Sequence, residues 1–176
     1  MDNSIITITP KGDTEQHSFE CQLVIIGNDR NYVLDNTSQN LSGFAPGCKV
    51  FDDGVLYRIK KIWYSPDSRY AFLNVYRDLP VWSGGTQVNN RDITIQTLVR
   101  KKGKLDVRSF KSQLITIGNT RTYLLDATKR DLLHTYFTIT PGCTITDAGH
   151  CYVVRDVWYY RRPKYVFLTV YRTPFD

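Results

Sequence analysis

Apolar and polar residues alternate with a period of two along much of this chain. In YRIKKIWY (57–64) and YAFLNVYR (70–77) the alternation runs through two segments joined by the turn-rich SPDSR, the pattern of a β-hairpin. CYVVRDVWYY (151–160), RRPK and YVFLTVYR (165–172) repeat it. Upstream, SFECQLVIIGNDRNYVLD (18–35) reads as two strands around a tight Gly27-Asn28 turn, since Gly and Asn tolerate positive φ. The segments IITITP (5–10) and DITIQTLVR (92–100) read as opening strands, and PGCKVFDDGVLY (46–57) as a turn, a short strand and an Asp-Gly turn. A helical period is missing almost everywhere; TKRDLLHTYF (128–137) is the one candidate for a helical turn or short helix.

The pattern occurs twice. Residues 18–37 match 109–128 at 12 of 20 positions, and residues 46–78 match 141–173 at 14 of 33. The offset grows from 91 to 95, which places four extra residues in the second copy around Leu132 to Phe137. Ordered identity at this level means two homologous domains. We expect an all-β chain of two tandem small β-barrels, SH3-like or sandwich, with five to six strands each. The expected bounds are 1–82 and 91–176, joined by a linker over 83–90 within the Gly- and Asn-rich WSGGTQVNN.

Composition then narrows the classes. With 176 residues, 41% hydrophobic and 23% charged, the chain has enough apolar content for a packed core and is not collagen-like or disordered. Its 12 Tyr, 8 Phe and 3 Trp favour sheets, and much of this aromatic load is one set counted twice. No stretch approaches a membrane-spanning length, and the N-terminus lacks a signal-peptide pattern, so no membrane partner is expected. The four cysteines form no CxxC pair, so reduced thiols are expected.

Catalytic and metal residues are expected to be none. His17, His134 and His150 fall outside the repeated core positions, and adjacent His150 and Cys151 would point to opposite faces of a strand. Cys48 and Cys143 hold the same place after Pro-Gly in both copies, which reads as packing. Asp35 and Asp126 close a YxLD strand in both copies and read as turn-forming carboxylates. No glycine-rich phosphate loop is present, and neither a cofactor nor enzymatic activity is expected.

Charge separates the copies. Residues 1–88 hold 8 Lys/Arg and 10 Asp/Glu, whereas residues 89–176 hold 15 and 7, so the chain's net +6 is the sum of −2 and +8. The excess concentrates in Arg100, Lys101, Lys102, Lys104 and Arg108, and in the second hairpin loop at Arg161, Arg162 and Lys164 beside Tyr160. These nine residues are the candidate contacts for a partner or nucleic acid, with Tyr beside Arg as a candidate stacking platform for single strands. Of each Trp-Tyr pair, Trp63-Tyr64 and Trp158-Tyr159, one member is expected in the core.

The stretch FAPGCKVFDDGVLYRIKKIWYSPDSRYAFLNVYRDLP, with its echo ITPGCTITDAGHCYVVRDVWYYRRPKYVFLTVYRTP, resembles the head-tail joining (stopper or head-completion) proteins of tailed bacteriophages. It departs from their pattern in carrying Cys48 and Cys143 where an acidic residue is usual, and in carrying the domain twice. The resemblance implies a structural virion component assembled in the host cytoplasm. It also implies a homo-oligomeric ring of six or twelve copies between portal or adaptor and tail proteins, with contact to packaged DNA within its reach. The alternative reading is a nucleic-acid-binding protein built of two small β-barrels.

Overall fold

The twelve segments that alternate in sequence are strands in a computed structural model, which describes residues 4–10, 15–77, 88–99, 104–128, 139–162 and 164–173. The first six are β1 (Ser4–Thr9), β2 (His17–Ile26), β3 (Asp29–Asp35), β4 (Lys49–Asp52), β5 (Val55–Tyr64) and β6 (Tyr70–Arg77). The second six are β7 (Asn90–Val99), β8 (Lys104–Ile117), β9 (Thr120–Asp126), β10 (Thr144–Asp147), β11 (His150–Tyr160) and β12 (Tyr165–Arg172). Each set closes into its own antiparallel barrel, in the order β1-β2-β3-β6-β5-β4 and β7-β8-β9-β12-β11-β10. The sandwich alternative falls, because β1 pairs with β4, and β7 with β10, leaving no open edge. No helix occurs among the described residues, and the helical candidate lies, from residue 129 onward, outside them. The chain divides into two units, Met1–Asn89 and Asn90–Asp176. Of the expected linker, Asn90 already opens β7 and the preceding Val88 packs against the first core; 83–87 lie outside the described residues.

The turns follow from residue chemistry. Gly27 and Gly118 stand at φ 65° and 60° in two-residue β2–β3 and β8–β9 loops, the positive value a type II′ turn requires at its first central residue. The β4–β5 and β10–β11 loops need positive φ at both central residues, met by Asp53-Gly54 and Ala148-Gly149. Pro46-Gly47 and Pro141-Gly142 make a further turn in each copy, closed by Cys48 N–H donating to Ala45 C=O at 3.2 Å and Cys143 N–H to Thr140 C=O at 3.1 Å. That turn carries the chain onto the middle of the long strand, where Ile59 N–H reaches Cys48 C=O and Val154 N–H reaches Cys143 C=O.

Inside each barrel the inward residues of every strand meet. Ile6, Leu23, Leu34, Val50, Ile59 and Leu73 pack together in the first core, and Ile93, Leu114, Leu125, Ile145, Val154 and Leu168 in the second. Each such side chain contributes about 1.5–3 kcal/mol by leaving water. Cys48 and Cys143 are buried in these cores, as expected from their shared position, and none of the four cysteines is in a disulfide.

A bulge resets the alternation within the long strand. The pairing of β5 with β6 skips between Ile59 and Lys61, and that of β11 with β12 between Val154 and Asp156. The extra residues, Lys60 and Arg155, bend the strand and return Ile62 and Val157 to the core side. The expected placement of one member of each Trp-Tyr pair in the core is met in part in the second barrel, through Tyr159, and not by Tyr64 in the first. Trp63 and Trp158 instead lie flat on Phe72 and Phe167, with ring centroids 3.8 and 3.9 Å apart. Tyr159 only partly packs on the second core, and Tyr64 is 51% exposed.

Candidate functional site

Two duplicated polar clusters lie within the barrels, and each brings three strands together. In the first, Arg30 on β3 donates from Nε to the Tyr32 hydroxyl at 2.8 Å and from a terminal nitrogen to Asp52 Oδ2 on β4 at 2.9 Å. Tyr32 donates its proton to the same oxygen at 2.6 Å, and the guanidinium lies over the ring of Tyr57 on β5 at 4.7 Å. In the second, Arg121, Tyr123, Asp147 and Tyr152 repeat each contact, at 2.7, 2.6, 2.7 and 4.5 Å. Burial, then the hydrogen bond to aspartate, pushes both Tyr32 and Tyr123 above the usual phenol range. Burial, then the charge of Asp52, does the same to the Cys21 thiol. These phenols stay protonated as donors, and the clusters act as structural cross-links between strands. The repeat offset of 95 aligns Asp52 with Asp147 and Tyr57 with Tyr152, and the Arg-x-Tyr shared by β3 and β9 is the sequence signal for the rest of the cluster.

A second duplicated contact sits beside the stacked rings. Trp63 Nε1–H donates to Asn31 Oδ1 at 3.3 Å, as does Asn74 Nδ2–H at 3.4 Å. In the second barrel Thr122 and Thr169 replace that amide pair, bonded hydroxyl to hydroxyl at 3.1 Å, with Trp158 Nε1–H reaching Thr169 Oγ1 at 3.5 Å. Asn31 faces Asn74, and Thr122 faces Thr169, directly across neighbouring strands, so the pair has changed together.

His150 Nδ1 lies 3.3 Å from Arg172, and Cys151 Sγ lies 3.9 Å from Thr146 Oγ1. Among the described residues no group of three or more His, Cys, Asp or Glu is placed to hold a metal ion. His134 lies outside them. A groove of about 620 Å³ opens beside Pro10, His17, Phe19, Gln39 and Phe44 in the first barrel. Its amides are engaged by the chain itself: Gln39 exchanges two hydrogen bonds with the Glu20 backbone, and Asn40 Oδ1 accepts from Ser42 N–H and Oγ–H.

The two barrels differ at one end. Because the strands alternate in direction, the β7–β8, β9–β10 and β11–β12 connections all leave the same end of the second barrel. In sequence these connections, 100–103, 127–143 and 161–164, carry eight Lys/Arg against one Asp. Their counterparts in the first barrel, 10–16, 36–48 and 65–69, carry two against three acidic residues. The described strand ends that flank these connections, Val99 and Lys104, Asp126 and Thr144, Tyr160 and Tyr165, thus lie at one end of the barrel.

Of the predicted contacts, Arg100, Lys101 and Lys102 lie outside the described residues, and Lys104 is described only as the first backbone position of β8. Arg108 stands further along β8, opposite Ile95, in an exposed ion pair with Asp106 at 2.9 Å, so it does not join the hairpin loop. Tyr160, Arg161, Arg162 and Lys164 do come together. The loop closes through Lys164 N–H donating to Arg161 C=O at 2.9 Å, with Arg161 at φ 49°. The Arg161 guanidinium lies 5.3 Å over Tyr160 and that of Arg162 lies 5.0 Å over Tyr159. One face of each ring is therefore already covered by an arginine, which narrows the candidate stacking platform. The equivalent loop in the first barrel is sealed by its own bonds: Ser65 Oγ–H and Arg69 N–H both reach Asp67 Oδ1, at 2.7 and 3.0 Å.

No known family's sequence pattern matches this chain, and no curated protein matches its sequence. Among solved structures, it is similar to the inhibitor of motility MotI/DgrA of Bacillus subtilis, at 13% identity over 98% of this chain and 89% of the other, with a TM-score of 0.30. A human pathogenic astrovirus serine protease gives 16% identity over 97% and 90%, with a TM-score of 0.28. MrkH of K. pneumonia in its apo state gives 12% over 97% and 78%, with a TM-score of 0.25. Likenesses this remote carry no argument about function.

Proposed function

We propose that this chain is a structural connector that acts by contact, holding unlike partners with two barrels of one design. The observation that carries the reading is the pattern of divergence. The Arg–Tyr–Asp clusters, turns and stacked rings that build the barrel are kept in both copies, while the connections at one end change from two basic residues against three acidic to eight against one. Duplication that preserves the frame and alters a loop end is what separate binding partners require. The resemblance to head-tail joining proteins supplies the setting. In it the chain is a virion component forming a ring of six or twelve copies, with the slightly acidic barrel toward one neighbour and the basic barrel toward another. Six two-barrel subunits would display twelve repeats, a count able to meet both a twelve-fold portal and a six-fold tail. Native mass spectrometry of the purified chain, alone and co-expressed with the portal and tail proteins of its virion, tests this. A closed ring that retains those proteins is expected; a monomer that captures neither overturns it.

A further inference from the structure

We infer that the β11–β12 loop is a sequence-independent site for the phosphate backbone of duplex nucleic acid, with Arg161, Arg162 and Lys164 as its contacts. This goes beyond the connector role and does not depend on it, since a chain that forms no ring would bind through the same loop.

Three observations point to a phosphate backbone. The loop offers three exposed cations in four positions and no carboxylate. Asp126, which faces Tyr165 across the base of the loop, spends one oxygen on its own turn, accepting from Thr128 N–H and Oγ–H. Secondly, the guanidiniums are held by their faces over Tyr160 and Tyr159, which presets the two side chains at the loop. The same covering takes a ring face away from bases, so backbone contact is favoured over stacking. Thirdly, Arg161 occupies the left-handed region at φ 49°, where glycine or asparagine would be relaxed. A cation is kept at a position whose backbone disfavours it, and the first barrel's loop shows that the hairpin closes without one. An interface with a folded protein would place apolar residues at its centre. The large exposed apolar residues described, Ile5, Tyr64, Tyr76, Val107 and Tyr171, all lie elsewhere.

Fluorescence anisotropy of the full chain with a labelled 20-base-pair duplex of random sequence, a 20-nucleotide strand and poly-L-glutamate, between 50 and 200 mM salt, tests the inference. Three phosphate contacts contribute about 2.7 to the salt slope, equivalent to about 40-fold of affinity over that range. The triple variant Arg161→Ser, Arg162→Ser, Lys164→Ser is expected to lose that part of the slope. Arg161→Gly relaxes the backbone, so it is expected to melt no lower than the parent while its slope falls by about 0.9. This separates lost contact from lost folding. A slope unchanged in the triple variant overturns the inference. So does poly-L-glutamate bound as tightly as the duplex, or single strand bound tenfold more tightly than duplex.

Discussion

Replacing Asp147 by Ala removes the centre of the second barrel's polar cluster. The carboxylate is 3% exposed and its Oδ2 accepts from Arg121 at 2.6 Å and from Tyr123 at 2.7 Å, while Arg121 itself is 20% exposed. Breaking a buried pair by deleting one partner costs about 3–5 kcal/mol, because the remaining charge stays out of water without its counter-charge. The partial access of Arg121 to water holds the loss to the lower part of that range, about 3 kcal/mol. For a barrel of this size that lowers the melting temperature by roughly 12–24 °C. Urea unfolding followed by Trp158, whose ring is stacked 3.9 Å from Phe167, reports on this barrel once Trp63 and Trp82 are changed to Phe. Adding Arg121→Met should return part of the loss, since the stranded cation goes too, and the double variant should cost at least about 1.5 kcal/mol less than the sum of the singles. Asp52→Ala should do to the first barrel what Asp147→Ala does to the second. A cost below about 1 kcal/mol for Asp147→Ala, or strict additivity with Arg121→Met, would refute the view that this cluster cross-links the strands.

The remaining predictions concern turns, acid and thiols. Ala148 sits at φ 50° in a turn that favours Asn, so Ala148→Asn should stabilise the second barrel by about 0.5–1 kcal/mol in the same urea assay; a loss would contradict the turn assignment. For Asp67, burial opposes ionisation, but the hydrogen bond from Ser65 and the Arg69 backbone N–H outweigh it and hold its carboxyl below the usual range; the bonds from Thr37 and Ser38 do the same for Asp35. A depressed folded-state pKa contributes stability that is full above the ordinary carboxylate range, near 4, and fades as pH falls through the folded value. The melting-temperature gap between the parent and Asp67→Asn should therefore narrow below about pH 4; a gap that widens there would reverse the sign of the argument. In the native chain a thiol reagent should label Cys151, the half-buried one, well before Cys21, Cys48 and Cys143, which are buried. Mass spectrometry of briefly labelled protein checks the order, and early modification of Cys48 or Cys143 would contradict the packing.

Sequence alone determined what depends on near neighbours. The period of two, the Gly-Asn, Asp-Gly and Pro-Gly turns and the repeat offsets are local signals, and they placed the hairpins and the two-barrel plan because a strand's partner across a tight turn lies a few residues away. The bulge was also written locally, in the doubled polar pairs Lys60-Lys61 and Arg155-Asp156 between apolar neighbours, though alternation alone did not say which member of each Trp-Tyr pair faces inward. Tertiary structure decided what depends on distant segments. Closure of β1 on β4 and of β7 on β10 joins strands across some 40 to 50 residues, and no local pattern specifies which edges meet. That closure is what carries Asp52 to Arg30 and Asp147 to Arg121, turning a repeated Asp into a buried counter-charge. The alternation of strand direction brings the basic connections of the second copy to one end. The sequence held the charges; only the topology, which sends each return strand back to the same rim, decided that the strand ends flanking them lie at one end of the barrel.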